Sequence, residues 1–152
     1  MASRRDQIRM TEEELHALLA EQLTVIVATT GPNGRPHLMP LWFVSEGSEL
    51  RGWTFAKSQK ARNLERDPRA TLQVECGLEY SELRGAMLEC DVEVERDTER
   101  VVAYGDALAD RYGGGSSEMK ELFRAQAPKR VGLLFRPSRT VTWDHHKLEG
   151  TY

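Results

Sequence analysis

The residues most able to do chemistry lie in one run, Trp53-Thr-Phe-Ala-Lys-Ser-Gln-Lys-Ala-Arg-Asn63. Extended spacing ends at Ala56 and helical spacing begins after Ser58. The first-turn amides, the positive end of the helix dipole, the Ser58 hydroxyl and the ammoniums of Lys57 and Lys60 can then converge on one point. Such a point suits a phosphate. The same residues also describe an ordinary N-capped surface helix with solvated lysines. A second run, Gly34-Arg-Pro-His-Leu-Met-Pro-Leu-Trp-Phe43, carries His37, Met39, Pro40, Leu41 and Trp42. A strand interrupted by Pro36 and Pro40 lacks two ladder donors, as at a sheet edge or a bulge. It could lay backbone amides and flat apolar surface against a planar ring, or pack its aromatics into a core.

Other catalytic patterns are missing. There is no nucleophile elbow, Walker loop or dinucleotide glycine fingerprint, and Gly113-Gly114-Gly115 follows a helix rather than a strand. His145 and His146 are adjacent and cannot both face one metal on regular structure, so no metal site is expected. Cys76 and Cys90 read as small strand residues, too few for a disulfide framework. His37, Tyr80 and His145 are candidate acids, and none is assigned the role. An enzyme built on this chain must take its chemistry from a cofactor.

The elements that would position these residues can be read from local signals. Thr11–Gln22 reads as a helix, with Thr11 and Glu14 placed as a capping box and Leu15, Leu18 and Leu19 on one face. Leu23–Thr30 is a β-branched run before the turn Gly31-Pro32-Asn33-Gly34, and Arg35–Val44 and Leu50–Ala56 follow as strands. Ser58–Asp67 is a short helix stopped by Pro68. Arg69–Cys76 is a strand. In the next, Ala86–Glu95, Ala86, Leu88, Cys90, Val92 and Val94 alternate with polar positions. A helical excursion over about 98–127 precedes a last strand, Arg130–Phe135 and Thr140–Trp143, with Pro137 between its parts. This order lacks the strand–helix rhythm of a doubly wound sheet and predicts a mainly β fold, a small six-stranded barrel with flanking helices.

The 152 residues carry 21 Lys plus Arg against 24 Asp plus Glu, a net charge of −3. One domain over 1–152 is expected at this length. No apolar run reaches the ~20 residues of a membrane helix, and MASRRDQIRM lacks the apolar centre of a signal peptide. A soluble cytoplasmic protein that binds neither membrane nor nucleic acid is the expectation. The charge is uneven. Residues 51–69 hold six basic side chains against two acids, a local +4, while residues 75–99 hold nine acids against two arginines, a local −7. That is either two solvated faces or a field drawing an anion to the basic stretch.

In order and spacing, TVIVATTGPNGRPHLMPLWF, WTFAKSQKARNLERDPRATLQVE and ELRGAMLECDVEVERD resemble the pyridoxamine 5′-phosphate oxidase-like split β-barrel superfamily. The likeness is strongest to the flavin/deazaflavin oxidoreductases that use coenzyme F-420. It runs over residues 11 to 148, and the closing Trp143-Asp-His-His-Lys-Leu148 also fits. The resemblance implies a six-stranded split barrel and a homodimer with cofactor sites at the interface. It further implies that Lys57, Ser58 and Lys60 hold the cofactor phosphate with Gln59 beside them. His37 and Met39-Pro40-Leu41-Trp42 would flank the ring, and Trp143 would complete a pocket, in the partner subunit or its own. The activity implied is F-420-dependent reduction of an activated double bond in a small molecule. The alternatives are an FMN- or FAD-binding member, or a non-catalytic cofactor carrier, including one for a tetrapyrrole-like ligand. Two departures argue against vitamin B6 oxidation. The chain has Leu38-Met39-Pro40-Leu41 where those oxidases carry an arginine-bearing segment, and Ser58-Gln59-Lys60 where they carry Ser-Arg-Lys.

Overall fold

A computed structural model describes residues 1–150. Seven strands form one antiparallel sheet: β1 (Val25–Thr30), β2 (Pro36–Leu41), β3 (Val44–Glu46), β4 (Glu49–Phe55), β5 (Arg69–Cys76), β6 (Arg84–Glu95) and β7 (Arg130–Asp144). Their order is β2-β1-β5-β6-β7-β4-β3. The sheet curls until its two ends meet. A Cβ added at Gly52 on β4 would stand 2.8 Å from Leu41 Cδ2 and 3.0 Å from the Trp42 carbonyl, although β2 and β4 are not ladder partners. The result is a half-closed barrel. Its interior is filled by alternate strand residues, among them Val25, Val27, Leu50, Leu72, Leu88, Leu133 and Phe135, with Leu18 and Leu19 closing one side.

Five helices flank the sheet: α1 (Arg4–Gln7), α2 (Glu12–Glu21), α3 (Gln59–Arg66), α4 (Thr98–Tyr112) and α5 (Ser117–Gln126). The capping box at α2 is formed: Thr11 Oγ1 accepts the Glu14 amide, and Glu14 Oε2 accepts the Thr11 amide at 2.7 Å. The alternation in β6 is also present, with Ala86, Leu88, Cys90 and Val92 buried. Both prolines of β2 lie on an edge strand, where a missing donor costs least.

The count is seven strands rather than six because the expected Arg35–Val44 segment divides. The Tyr112 hydroxyl accepts the Phe43 amide at 3.0 Å, Arg111 binds the Phe43 carbonyl, and the Phe43 ring is fully buried. The chain therefore turns at Trp42-Phe43, and β3 pairs with β4 at the opposite edge. The two parts of the last strand are one ladder with β6. Pro137 is accommodated by a register shift, since Glu89 pairs with Arg139 but Cys90 with Pro137. Among the described residues no helix is long and apolar enough to cross a membrane.

Candidate functional site

The turn from β4 into α3 is built as the local chemistry demands. Ser58 has extended backbone and its Oγ accepts the Ala61 amide at 3.1 Å, while the Thr54 hydroxyl donates to the same oxygen at 3.2 Å. Ser58 keeps its own O–H as a donor. Lys57 and Gln59 are exposed on this first turn, and the Gln59 amide donates to Asn63 Oδ1 at 2.8 Å. Buried Asn63 in turn donates to Thr29 Oγ1 at 3.0 Å, tying α3 to β1. Lys60 is the exception on this turn. It is only 6 % exposed, and its ammonium has no ion pair or hydrogen bond among the described residues. Burial, and then the positive charge of Arg130, hold its pKa below the ordinary lysine value.

Arg130 stands across the ladder from Phe55 at the head of β7. Its guanidinium lies 3.7 Å from the Phe55 ring centroid and 4.9 Å from that of Trp53. One terminal nitrogen donates to Gln126 Oε1 at 2.7 Å, and Nε is buried without a partner among the described residues. Desolvation lowers this arginine's pKa too. The charge of Arg130 is thus felt at Lys60, and neither cation has a carboxylate ion-pair partner among the described residues.

Arg130 and Gln126 form one side of a cleft of about 320 Å³. Pro40, Leu41 and Trp42 supply another side, Trp53 the floor strand, and Leu108 and Phe123 the helical wall. Trp42 is held flat against Tyr112, centroids 4.3 Å apart and planes within 4°. Trp53 and Phe123 meet at 5.3 Å. Arg111 braces this wall. It donates to the Leu19, Ala20 and Gln22 carbonyls at the end of α2 as well as to the Phe43 carbonyl.

The structure thus gathers Pro40, Leu41 and Trp42 in one cleft; Lys60 is not among the residues that line it, and its link to the cleft is the charge of Arg130. Lys57, Ser58 and Gln59 lie on the same helix turn as Lys60. His37 and Met39 share a face of β2 with Leu41; Met39 is exposed, and His37 Nδ1 is buried without a partner. Trp143 is not brought to the cleft within one chain. It pairs with Gly85 toward the far end of β7, and its ring covers that glycine. Tyr80 and His145 meet there as well, rings 4.6 Å apart and His145 Nδ1 2.7 Å from the Tyr80 carbonyl. A 15-residue strand separates that end from Arg130. Cys90 is buried, and desolvation pushes its thiol up to about 12, which suits packing rather than reactivity.

Arg130, Gln126 and Phe123 had no local signal in the sequence, because only the β4–β7 register brings residue 130 beside residue 55. The charge contrast also changes meaning. Glu89 and Glu93 of the acidic stretch pair with Arg139 and Arg136 of β7. In two further hollows, about 370 and 540 Å³, the lining cations Arg69, Arg5, Arg9 and Arg139 are all exposed, and the carboxylates of Glu89, Asp91 and Glu12 line them as well.

Residues 11–144 match the family model of pyridoxamine 5′-phosphate oxidase. No curated protein matches the chain. Among solved structures, the conserved hypothetical protein Rv2991 from Mycobacterium tuberculosis is 36% identical, with a TM-score of 0.90 over 99% of this chain and 95% of that one. An F420 reductase is 28% identical, with a TM-score of 0.67 over 82% and 94%. HutZ, the heme storage protein of Vibrio cholerae, covers 86% and 94% at a TM-score of 0.69, and at 20% identity it shares the fold alone.

Proposed function

The chain belongs to the pyridoxamine 5′-phosphate oxidase family of split barrels, and from that membership we propose that it is an F-420-dependent reductase. The observation that carries this reading is Lys60, a lysine only 6 % exposed whose ammonium has no partner among the described residues, on the helix turn that feels the charge of Arg130 of the aromatic-walled cleft. An unpaired, partly desolvated charge costs stability, so a site that keeps one is suited to an incoming anion. The family includes oxidoreductases with flavin-type cofactors, and the F420 reductase at 28% identity supports deazaflavin as the choice.

In this reading Lys57, Ser58, Gln59 and Lys60 hold the cofactor's phosphate. His37, Met39, Pro40, Leu41 and Trp42 flank its ring. Reduced deazaflavin supplies a hydride, and the acceptor is a small molecule with an activated double bond. The chain's own part is to bind, to orient and to exclude water: Tyr112 and Arg111 fix the plane of Trp42, and the α4–α5 wall covers the cleft. The protein acts as a homodimer, in which the exposed Ile26 and Leu38 of the outer sheet face are covered and Trp143 completes a partner's site.

Titration of F-420 fluorescence with wild type, Lys57→Ala and Lys60→Ala tests the assignment. Weaker binding by both variants with unchanged circular dichroism is expected; unchanged affinity in both removes the phosphate site. Sedimentation equilibrium tests the dimer, and a monomer at micromolar concentration overturns it.

A further inference from the structure

We propose that Arg130 is the second cation of an anion clamp with Lys60, and that the helical excursion sets it there through Gln126. The clamp deepens the reading above and rests on it, since it needs a ligand that carries phosphate on a planar ring.

Four features of the structure support this assignment. Arg130 and Lys60 come from elements far apart in sequence, β7 and α3, yet the ladder pairing of Phe55 with Arg130 and the hydrogen bond from the Ala56 amide to the Lys129 carbonyl at 2.9 Å set the head of β7 against the turn that leads into α3. Neither cation has a carboxylate partner among the described residues, although 14 ion pairs or His–carboxylate contacts are formed elsewhere. The guanidinium is stacked on Phe55 and bonded through one terminal nitrogen to Gln126, which fixes its plane and leaves the other terminal nitrogen free. Finally, Arg130 lines the same cleft as Pro40, Leu41 and Trp42, so a ring lying on those residues would carry an attached anion toward Arg130 and the turn that bears Lys60.

A purely structural Arg130 would look similar in one respect, its stack on Phe55, so the test must separate charge recognition from folding. Fluorescence titrations would compare wild type, Lys60→Met, Arg130→Met, Arg130→Gln and Arg130→Lys. Each would be titrated with F-420 and with the same deazaflavin lacking its phosphate, and with FMN and riboflavin as a second matched pair. The expected result is at least a tenfold loss for the phosphate-bearing member in Arg130→Met and Arg130→Gln, about 1.4 kcal/mol. The phosphate-free member is unchanged, and Arg130→Lys recovers part of the loss. Equal losses for both members of a pair overturn the clamp, because they report a distorted cleft. Loss in Lys60→Met with none in either Arg130 variant overturns the clamp and leaves the proposed function standing. No loss in Lys60→Met either, or no binding of any of the four by wild type, overturns the proposed function with it.

Discussion

Replacing Lys60 by methionine separates two kinds of lysine that look alike in sequence. A lysine kept for the fold stabilises the protein, and its loss lowers the melting temperature. A lysine kept for a ligand is a burden until the ligand arrives. Lys60 is 6 % exposed, has no counter-ion among the described residues and feels the positive charge of Arg130. Methionine nearly preserves the stem while removing the charge. An ion that keeps some contact with solvent recovers less than the several kcal/mol of full burial, so a gain of about 1–3 kcal/mol is expected in the ligand-free protein. At this chain length about 1 kcal/mol moves the melting temperature by roughly 2–4 °C, so the rise is on the order of 2–12 °C. The same change weakens F-420 binding by about 10- to 100-fold, the worth of one charge-assisted contact. The pH dependence has a definite sign. Because the folded pKa lies below 10.5, the unfolded chain binds more protons between the two values, and stability rises with pH in that window. Lys60→Met loses that slope. Differential scanning fluorimetry over a pH series, together with fluorescence titration, reads both effects. A variant that melts lower than wild type and binds F-420 as well as wild type would refute the reasoning.

Other perturbations probe the frame of the cleft. Arg111→Met removes the donor shared by the Leu19, Ala20, Gln22 and Phe43 carbonyls, of which Phe43 keeps the Tyr112 hydroxyl, and urea denaturation should show a loss of about 2–3 kcal/mol. Gly105→Ala drives a Cβ to 2.7 Å from the Trp53 ring, so a loss of about 1–3 kcal/mol should come with an altered tryptophan emission spectrum. The Arg69 guanidinium, bonded to the Asp67 carboxylate, holds it at about 2 against an ordinary 3.8. Its stabilisation is present above pH 3.8 and fades as pH falls through 2, so Asp67→Asn should flatten that part of the acid-unfolding profile followed by circular dichroism.

What could be read in the sequence was what neighbouring residues decide. The Thr11–Glu14 capping box, the Ser58 cap and the alternation from Ala86 to Val92 are local patterns, and each is found where its spacing places it. The division of the second strand was not legible, because it depends on Tyr112 and Arg111, about 69 residues away, taking hold of Phe43. The same distinction runs through the candidate site. The turn at Lys57–Lys60 declares itself through residue types at adjacent positions. Arg130 is one arginine among many until the curl of the sheet stacks it on Phe55 and leaves its Nε without a partner among the described residues. Trp143 carries the opposite lesson, since a residue implied by resemblance lies at the far end of its strand from the cleft.

The most direct test of the central claim is a side-by-side equilibrium titration of the purified protein with F-420, FMN, FAD and haem under one set of conditions. Saturable binding of F-420, tighter than the other three and weakened in Lys60→Met, is the predicted result. Tighter binding of haem, or no saturable binding of F-420, would contradict the account.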